Sequence, residues 1–195
     1  DRFWDEKLNI FTSVSDHSEE DDSNYGYDPT PYIVLEEILK SDLLGKDDVL
    51  VDYGCGKGRV GFFLSYRTNA ATMGLEYDER IYASALENQK TAKTNAAFVL
   101  TRAEEYNVPS NVDRCYFFNP FSAELLRSVM AQILDGFYEN PRTMRLFFYY
   151  PNDAYVAYLM SVDELDLVDE IDCRDLFPGD DYREKILIFE LGNYF

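Results

Sequence analysis

A glycine-rich run in the first third of the chain constrains the fold more than any other feature. Residues 49–51 are apolar, and residues 52–58 read DYGCGKG, with glycine at every second position from 54. Apolar residues before such a run predict a strand that ends in a tight turn, followed by a helix from about Arg59. Glycine also lets a ligand approach main-chain N–H groups that a Cβ would block. The run therefore predicts a ligand-binding turn at a helix N-terminus, where the helix dipole adds positive charge.

The rest of the pattern predicts an α/β fold. The early alternation of strands and helices is typical of a parallel sheet with helices on both faces, and Thr30 is the expected N-cap of the first helix. The last two strands have no helix between them, so we expect them to pair antiparallel. The predicted strands cover 49–51, 71–76, 98–100, 115–118, 145–150, 165–171 and 185–191, and the predicted helices cover 31–44, 59–66, 78–93, 122–134 and 154–160.

Length and charge limit the organisation and the partners of the chain. The 195 residues suit one domain, which we place at 29–195, after a leading segment, 1–28, that holds a polar, acidic loop near 15–22. The net charge of −19 repels phosphate backbones, and Lys and Arg form no cluster. Nucleic acid is therefore not an expected partner, and cationic or neutral substrates are favoured.

Cysteine usage and hydropathy favour a cytoplasmic protein. The three cysteines lie far apart without a CxxC pair, and the chain has one histidine, so neither a disulfide framework nor a zinc site is expected. No apolar run reaches the length of a membrane span, and no signal-peptide pattern opens the sequence. No membrane partner is therefore expected, and the oligomeric state is left open.

The glycine spacing separates several nucleotide-type ligands. A dinucleotide fingerprint reads G-x-G-x-x-G, whereas this run reads G-x-G-x-G, and a carboxylate at Asp52 would repel a pyrophosphate. The GK[ST] sequence of a P-loop is absent at the required offset. Nicotinamide and flavin dinucleotides are therefore disfavoured, while an adenine nucleotide remains an alternative to a cationic adenosyl ligand.

S-adenosylmethionine matches the two acidic positions near the run. Its methionine part carries an ammonium that Asp52 can balance, and its sulfur is positively charged. Glu76 follows Gly58 by 18 positions, at the end of the next predicted strand, where a carboxylate can accept hydrogen bonds from both ribose hydroxyls. A cation with a ribose is thus a better fit than a pyrophosphate.

Residues from about 29 to 191 resemble a class I S-adenosylmethionine-dependent methyltransferase. The run 52–58 is similar to the first motif of that family, and Glu76 to its ribose-binding acid. The resemblance implies a Rossmann-like, doubly wound, seven-stranded sheet, mostly parallel with a terminal antiparallel strand, and S-adenosyl-L-methionine as cofactor. The cofactor-binding residues that it implies are Asp52, Tyr53, Gly54, Cys55, Gly56, Gly58, Glu76, Tyr77, Ala103 and Asn119.

The third motif of the family is altered in this chain. An acidic residue and a small residue are expected after the third strand, near the adenine. Ala103 fits the small position, but Arg102 stands where the acid is expected. Glu104 is a possible replacement, and an acid in the first turn of a helix is the alternative reading.

Asn119, Pro120 and Phe121 resemble the Asn-Pro-Pro-aromatic motif of methyltransferases that act on amino groups. In that family the Asn side chain and the next carbonyl accept hydrogen bonds from the target nitrogen, and the aromatic ring packs on the substrate. The second proline is missing here. These three residues are the predicted catalytic set; the alternative is a strand-to-helix turn capped by Ser122.

Aromatic residues flank the predicted site. Tyr25, Tyr27 and Tyr32 precede the first strand and predict an aromatic lid, whereas Tyr149, Tyr150 and Pro151 end the fifth strand and predict a substrate wall; core packing is the alternative for both groups. The sequence thus predicts a methyltransferase whose acceptor is a small molecule or a protein, with an amino group as the favoured target. A non-catalytic module that binds the cofactor or another protein is the competing reading.

Overall fold

A computed structural model describes residues 1–18 and 21–192, so residues 19–20 of the predicted acidic loop and residues 193–195 of the predicted domain lie outside the described residues. The described chain forms one seven-stranded sheet with helices on both faces. The strands are β1 Val49–Tyr53, β2 Ala71–Glu76, β3 Ala96–Leu100, β4 Arg114–Phe117, β5 Met144–Tyr149, β6 Asp166–Asp172 and β7 Lys185–Leu191. The helices are α1 Arg2–Leu8, α2 Tyr32–Lys40, α3 Arg59–Thr68, α4 Glu79–Thr91, α5 Ala123–Glu139 and α6 Asp153–Leu159, with 3₁₀ turns at Ala103–Glu105 and Arg174–Leu176.

The strand order is β3-β2-β1-β4-β5-β7-β6. Strands β1 to β5 pair in parallel, whereas β7 lies antiparallel between β5 and β6. The order reverses between β1 and β4, and the crevice above such a reversal is where open α/β sheets bind ligands. The predicted parallel sheet with an antiparallel end is confirmed.

Two hydrophobic layers enclose the sheet. Strand β1 shows this arrangement, because its consecutive residues Leu50 and Val51 point to opposite faces of the sheet and are both fully buried. On the Leu50 side, helices α1 to α4 supply apolar residues such as Phe62, and on the Val51 side α5 and α6 supply residues such as Leu126. Both faces of the sheet are therefore covered, and its strand ends are left to form a site.

The N-terminal part differs most from the prediction. Thr30 is not an N-cap, because its hydroxyl is hydrogen-bonded to Tyr116 Oη at 2.9 Å, and α2 begins after Pro31 without a side-chain cap. Helix α2 also ends at Lys40 rather than at residue 44, since Asp42 has a positive φ of 57°. Helix α1 was not predicted. Ser122 does cap α5, accepting from the main-chain N–H of Leu125.

The described residues contain neither a group of three or more His, Cys, Asp or Glu side chains arranged to hold a metal nor a helix long and apolar enough to cross a bilayer. Cys55, Cys115 and Cys173 are free thiols, all buried.

Candidate functional site

The glycine run forms a turn in which Gly54 and Gly56 have no room for a side chain. Gly54 has a φ of 73° and Gly56 a φ of 56°, in the left-handed region that favours glycine. A Cβ on Gly54 would lie 2.4 Å from Pro120 Cβ, and a Cβ on Gly56 would lie 2.0 Å from the ring of Tyr27. The turn is thus packed between the end of β4 and a segment that precedes the first strand.

Glu76 joins the end of β2 to this turn. Its Oε2 accepts from the main-chain N–H of Gly56 at 3.0 Å, and its Oε1 accepts from those of Tyr77 and Asp78 at 2.9 and 3.0 Å. Burial raises the pKa of this carboxyl, and the three N–H donors partly oppose that rise. Glu76 therefore shapes the turn and still faces the space beside it.

Asp52 is a buried carboxyl without a compensating partner. Its side chain is 3% exposed, and Oδ2 has no hydrogen-bond partner among residues 1–18 and 21–192. Burial, and then the negative charge of Glu76, raise the pKa of Asp52 to about 8. A buried acid that lacks a partner is unfavourable in the free protein, and a cation beside it would relieve that cost.

Two spaces open above the turn. The first, here called the slot, has a volume of about 40 Å³ and is bordered by Glu76 and Ala103; the second, called the cavity, has a volume of about 500 Å³ and is bordered by Asp52 and Asn119. Four residues line both spaces: Tyr25, Gly26, Tyr27 and Gly54. The two spaces are therefore halves of one site, separated by an N-terminal segment.

That segment, residues 21–28, is called the roof. It is held to the end of β4, because Tyr25 N–H donates to the Pro120 carbonyl at 3.1 Å and Ser122 N–H donates to the Ser23 carbonyl at 2.8 Å. The Tyr27 hydroxyl donates to the Thr12 carbonyl at 2.8 Å. The predicted lid role of Tyr25 and Tyr27 stays a prediction, with this position consistent with it; Tyr32 instead packs in the core.

Arg59 ties the N-terminal residues to the turn. It is 1% exposed, and its guanidinium donates to Thr12 Oγ1 at 2.8 Å, Ser13 Oγ at 3.0 Å and the Thr30 carbonyl at 3.1 Å. It also lies over the Tyr32 ring, 4.4 Å from its centroid. This role is not predictable from the sequence, because an arginine in the first turn of a helix gives no sign of being buried.

The predicted catalytic set does not converge on one point. Asn119 lines the cavity with a φ of 39°, but its amide group donates to the Tyr150 carbonyl and accepts from Asn152 N–H at 3.2 Å. The Pro120 carbonyl accepts from the roof, and Phe121 lies in the slot, 3% exposed. The stretch forms the strand-to-helix turn that leads into α5, and these polar groups already have partners, so the catalytic role of the three residues stays a prediction.

The other predicted residues divide between the site and the core. Tyr77 and Ala103 line the slot, and Cys55 lines the cavity as a buried thiol. The Tyr53 ring stacks on Phe117 at 4.7 Å, in the layer below the sheet, and lines neither space. The cofactor contact of Tyr53 therefore stays a prediction, and its main chain would have to make it. Its hydroxyl has no hydrogen-bond partner in the described parts of the chain.

Three further positions lie outside both spaces. Gly58 lines neither, and a Cβ there would meet the Phe98 ring at 2.6 Å, so its role is packing of the turn against the sheet. Arg102 and Glu104 also line neither space. Of the proposed substrate wall, Tyr150 lines the cavity, whereas Tyr149 is buried with its hydroxyl on Glu184 at 2.8 Å.

Comparison of the sequence with protein-family models and with curated proteins finds no match. The structure, however, is similar to an RNA methyltransferase from Salinibacter ruber in complex with S-adenosyl-L-homocysteine, with a TM-score of 0.56 and 18% identity over 86% of this chain and 96% of that one. A TehB-like SAM-dependent methyltransferase from Corynebacterium glutamicum has a TM-score of 0.61 and 17% identity over 83% and 89% of the two chains. This chain has the class I S-adenosylmethionine-dependent methyltransferase fold.

A third similar structure with the class I methyltransferase fold is magnesium protoporphyrin IX methyltransferase from Synechocystis PCC 6803 with bound SAM. Its TM-score is 0.53, with 15% identity over 82% of this chain and 75% of that one. These levels of identity establish the fold alone. In this fold the slot and the cavity lie at the carboxyl ends of β1, β2 and β4, at the point where the strand order reverses.

Proposed function

We propose that this protein binds S-adenosyl-L-methionine and transfers the methyl group to an amino nitrogen of a small molecule or of a protein side chain. The observation that carries the proposal is Asp52, a buried carboxyl at the cavity whose Oδ2 lacks a hydrogen-bond partner within the described residues. An ammonium is the group that such an acid would bind. A pyrophosphate or a nucleotide phosphate would add a second negative charge to it.

The residues around Asp52 fit the rest of the cofactor. Glu76 borders the slot, where main-chain N–H groups occupy both acceptor sites of Oε1 and one of Oε2, so Oε2 keeps a lone pair to accept from a ribose hydroxyl. Leu75, Ile81 and Ala103 give the slot apolar walls, and the slot of about 40 Å³ would have to widen to admit a planar base. The glycine turn brings main-chain groups to the junction of slot and cavity, where the methionine part would lie.

When bound, S-adenosylmethionine supplies a methyl group on a positively charged sulfur, open to in-line attack by a nucleophile. The chain's own contribution is then alignment and electrostatics. The roof would cover the site and exclude water. The carboxylates of Asp21 and Asp28, which line the cavity, would attract an amine and can receive its proton.

An amine acceptor is supported by the chemistry of the cavity wall. Asp21, Asp28 and Asp52 line it together with the rings of Phe118 and Tyr150. Arg59 also lines it, but its guanidinium is paired with Asp1 at 3.1 Å, and the whole chain carries a net charge of −19. An aromatic and acidic wall attracts a cation by Coulomb and cation–π terms, the latter about 0.5–2 kcal/mol. RNA is the acceptor class of several structurally similar proteins, but its phosphates would meet repulsion at this cavity.

Calorimetry with S-adenosylhomocysteine, NAD⁺ and ATP tests the cofactor. We expect binding of the first alone, and binding of NAD⁺ or ATP alone would overturn the proposal. Transfer of a radiolabelled methyl group to pooled small amines, to a lysine-rich peptide and to transfer RNA then tests the acceptor. Labelling of the RNA without the amines or the peptide would replace the amine class by nucleic acid.

A non-catalytic cofactor-binding module is the second candidate, and one observation favours it. The Asn119 amide and the Pro120 carbonyl, which would receive a target nitrogen in amino-directed relatives, are already hydrogen-bonded within the chain. Binding of S-adenosylhomocysteine without methyl transfer to any of the three acceptor classes would favour this candidate.

A further inference from the structure

We propose that Asn24, in the roof, reads the exocyclic amino group of the adenine and so makes the site selective for an adenosyl ligand. The inference rests on the proposed cofactor. It assigns base recognition to the N-terminal segment rather than to the loop after β3. The distinguishing feature is Asn24, a residue that lines the slot and whose amide oxygen accepts no hydrogen bond in the described residues.

The carboxyl groups that line the slot already accept hydrogen bonds within the chain. Both oxygens of Glu76 accept from main-chain N–H groups, those of Asp78 cap α4 and bind Arg80, and those of Asp16 bind Ser18 and Arg80. Among carboxyl and amide oxygens lining the slot, Asn24 Oδ1 is the one that accepts no hydrogen bond in the described residues. A donor on a bound base would find its acceptor there.

The backbone around Asn24 is fixed against the end of β4. Asn24 pairs with Phe121 in an isolated antiparallel bridge, and the main-chain hydrogen bonds Ser122 to Ser23 and Tyr25 to Pro120 flank it. The residue is only 7% exposed. The backbone of Asn24 is therefore held by the turn that follows β4, the strand next to the glycine turn, rather than carried on a free loop.

Asp21 determines which end of the amide is available. Its Oδ1 accepts from the main-chain N–H groups of Ser23 and Asn24 at 2.7 Å each, and both of its oxygens lie 3.4 Å from Asn24 Nδ2. A carboxylate only accepts hydrogen bonds, so it favours the amide nitrogen on its side and leaves the amide oxygen as an acceptor. Asp21 is thus a positioning residue for Asn24.

The loop after β3 offers no competing acid. Arg102 occupies the position where one is expected, and neither Arg102 nor Glu104 lines the slot. Thr101 does line it, with its hydroxyl donating to the Arg102 carbonyl at 3.2 Å. The missing acid in the third motif and the acceptor in the roof therefore have a common explanation. In this chain the roof, and not the loop after β3, contacts the adenine base.

The test compares S-adenosylhomocysteine with its inosine analogue, in which a carbonyl replaces the amino group. Calorimetry on the wild-type protein is expected to show at least about tenfold tighter binding of the adenosyl form, because the carbonyl would oppose the amide oxygen. In Asn24→Leu and Asp21→Asn the ratio should fall towards one. In Glu104→Gln, the matched control, it should stay at the wild-type value.

The outcomes separate the two proposals. Failure of the wild-type protein to bind S-adenosylhomocysteine would overturn the proposed function. Binding of both ligands with equal affinity, or a ratio that collapses in Glu104→Gln and survives in Asn24→Leu, would overturn the role of Asn24 alone. If Asn24→Leu does not fold, the wild-type ratio and the Asp21→Asn variant still decide the question.

Discussion

Single residues of the site place ionisable groups where burial makes charge costly. Asp52 and Glu76 end adjacent strands, and both carboxyls have a raised pKa because they are buried. Arg59, by contrast, donates to hydroxyl and carbonyl acceptors and pairs with the Asp1 carboxylate at 3.1 Å. The unpaired acid is the group whose cost a ligand can remove, and this makes Asp52 the most informative residue to change.

Asp52→Asn should change the pH dependence of stability. Because the folded-state pKa is about 8 and the ordinary value is 3.8, folded Asp52 keeps its proton between those values while the unfolded chain loses it. Its contribution to the free energy of unfolding therefore falls as pH rises from about 4 to about 8, by up to about 1.4 kcal/mol per pH unit. The variant should lack this fall, as urea unfolding at about pH 5.5 and about pH 8 would measure.

The same variant should bind S-adenosylhomocysteine more weakly, because an amide does not balance an ammonium. We therefore expect Asp52→Asn to be more stable than the wild type near pH 8 and poorer in ligand binding. Equal pH slopes for the two proteins would show that Asp52 titrates normally.

Glu76→Ala should weaken S-adenosylhomocysteine binding by about 1.5–3 kcal/mol, the usual range for hydrogen bonds to a charged group. The expected loss includes the supports that Glu76 gives to the glycine turn through Gly56 N–H. Glu79→Ala is the matched control, since Glu79 is an exposed acid on the next helix. Calorimetry that finds unchanged affinity in Glu76→Ala would remove this residue from the ribose site.

The proximity of Asp52 and Glu76 could be predicted because both follow apolar strand patterns, and adjacent parallel strands end at one edge. The state of Asn119 could not be predicted. Its partners, Tyr150 and Asn152, are more than thirty positions away and depend on the pairing of β4 with β5. The burial of Arg59 likewise depends on N-terminal residues that carry no pattern linking them to α3.

At the scale of elements, the N-terminal segment is part of the site rather than an appendage. Helix α1 places Asp5 where it accepts from Thr12 and from the Tyr32 hydroxyl, and Thr12 in turn contacts Arg59 and Tyr27. A continuous set of hydrogen bonds thus connects α1 to the roof. Helix α1 was missed because seven residues give too short a periodic pattern to predict a helix.

Arg59→Met should loosen the roof without breaking the sheet. Loss of the guanidinium leaves Thr12, Ser13 and the Thr30 carbonyl without their donor, so amide hydrogen exchange in residues 21–28 should accelerate. The matched control is Arg67→Met, which removes a more exposed arginine of the same helix from its ion pair with Glu36. Similar exchange in both variants would contradict a specific role for Arg59.

Gly56→Ala should damage the junction between roof and turn. The added Cβ would lie 2.0 Å from the Tyr27 ring at a residue with a φ of 56°, so the ring must move and the backbone is strained. We expect a lower midpoint of unfolding and weaker binding of S-adenosylhomocysteine. Gly45→Ala, whose Cβ would have its nearest neighbour at 3.9 Å, should leave both measurements near the wild-type values.

The whole molecule carries far more negative than positive charge. Because the net charge is −19, repulsion between like charges opposes the compact state. Salt screens charges, so added salt should weaken this repulsion. The urea midpoint should therefore rise between about 0.01 M and about 0.2 M sodium chloride, over which the Debye length falls from about 30 to about 7 Å. A midpoint that falls over this range would show that surface ion pairs outweigh the repulsion.

The position of β7 has a consequence for synthesis. Within residues 1–18 and 21–192, strand β6 pairs with β7 alone, and β7 also completes the open side of β5. During translation, β6 therefore leaves the ribosome as an unpartnered strand. One side of β5 also stays unpaired until the residues of β7 have been synthesised. Translation adds about 5–20 residues per second, so this interval is on the order of a second. A pause placed before residue 185 would lengthen it, and β5 and β6 would be the surfaces open to chaperones or to aggregation.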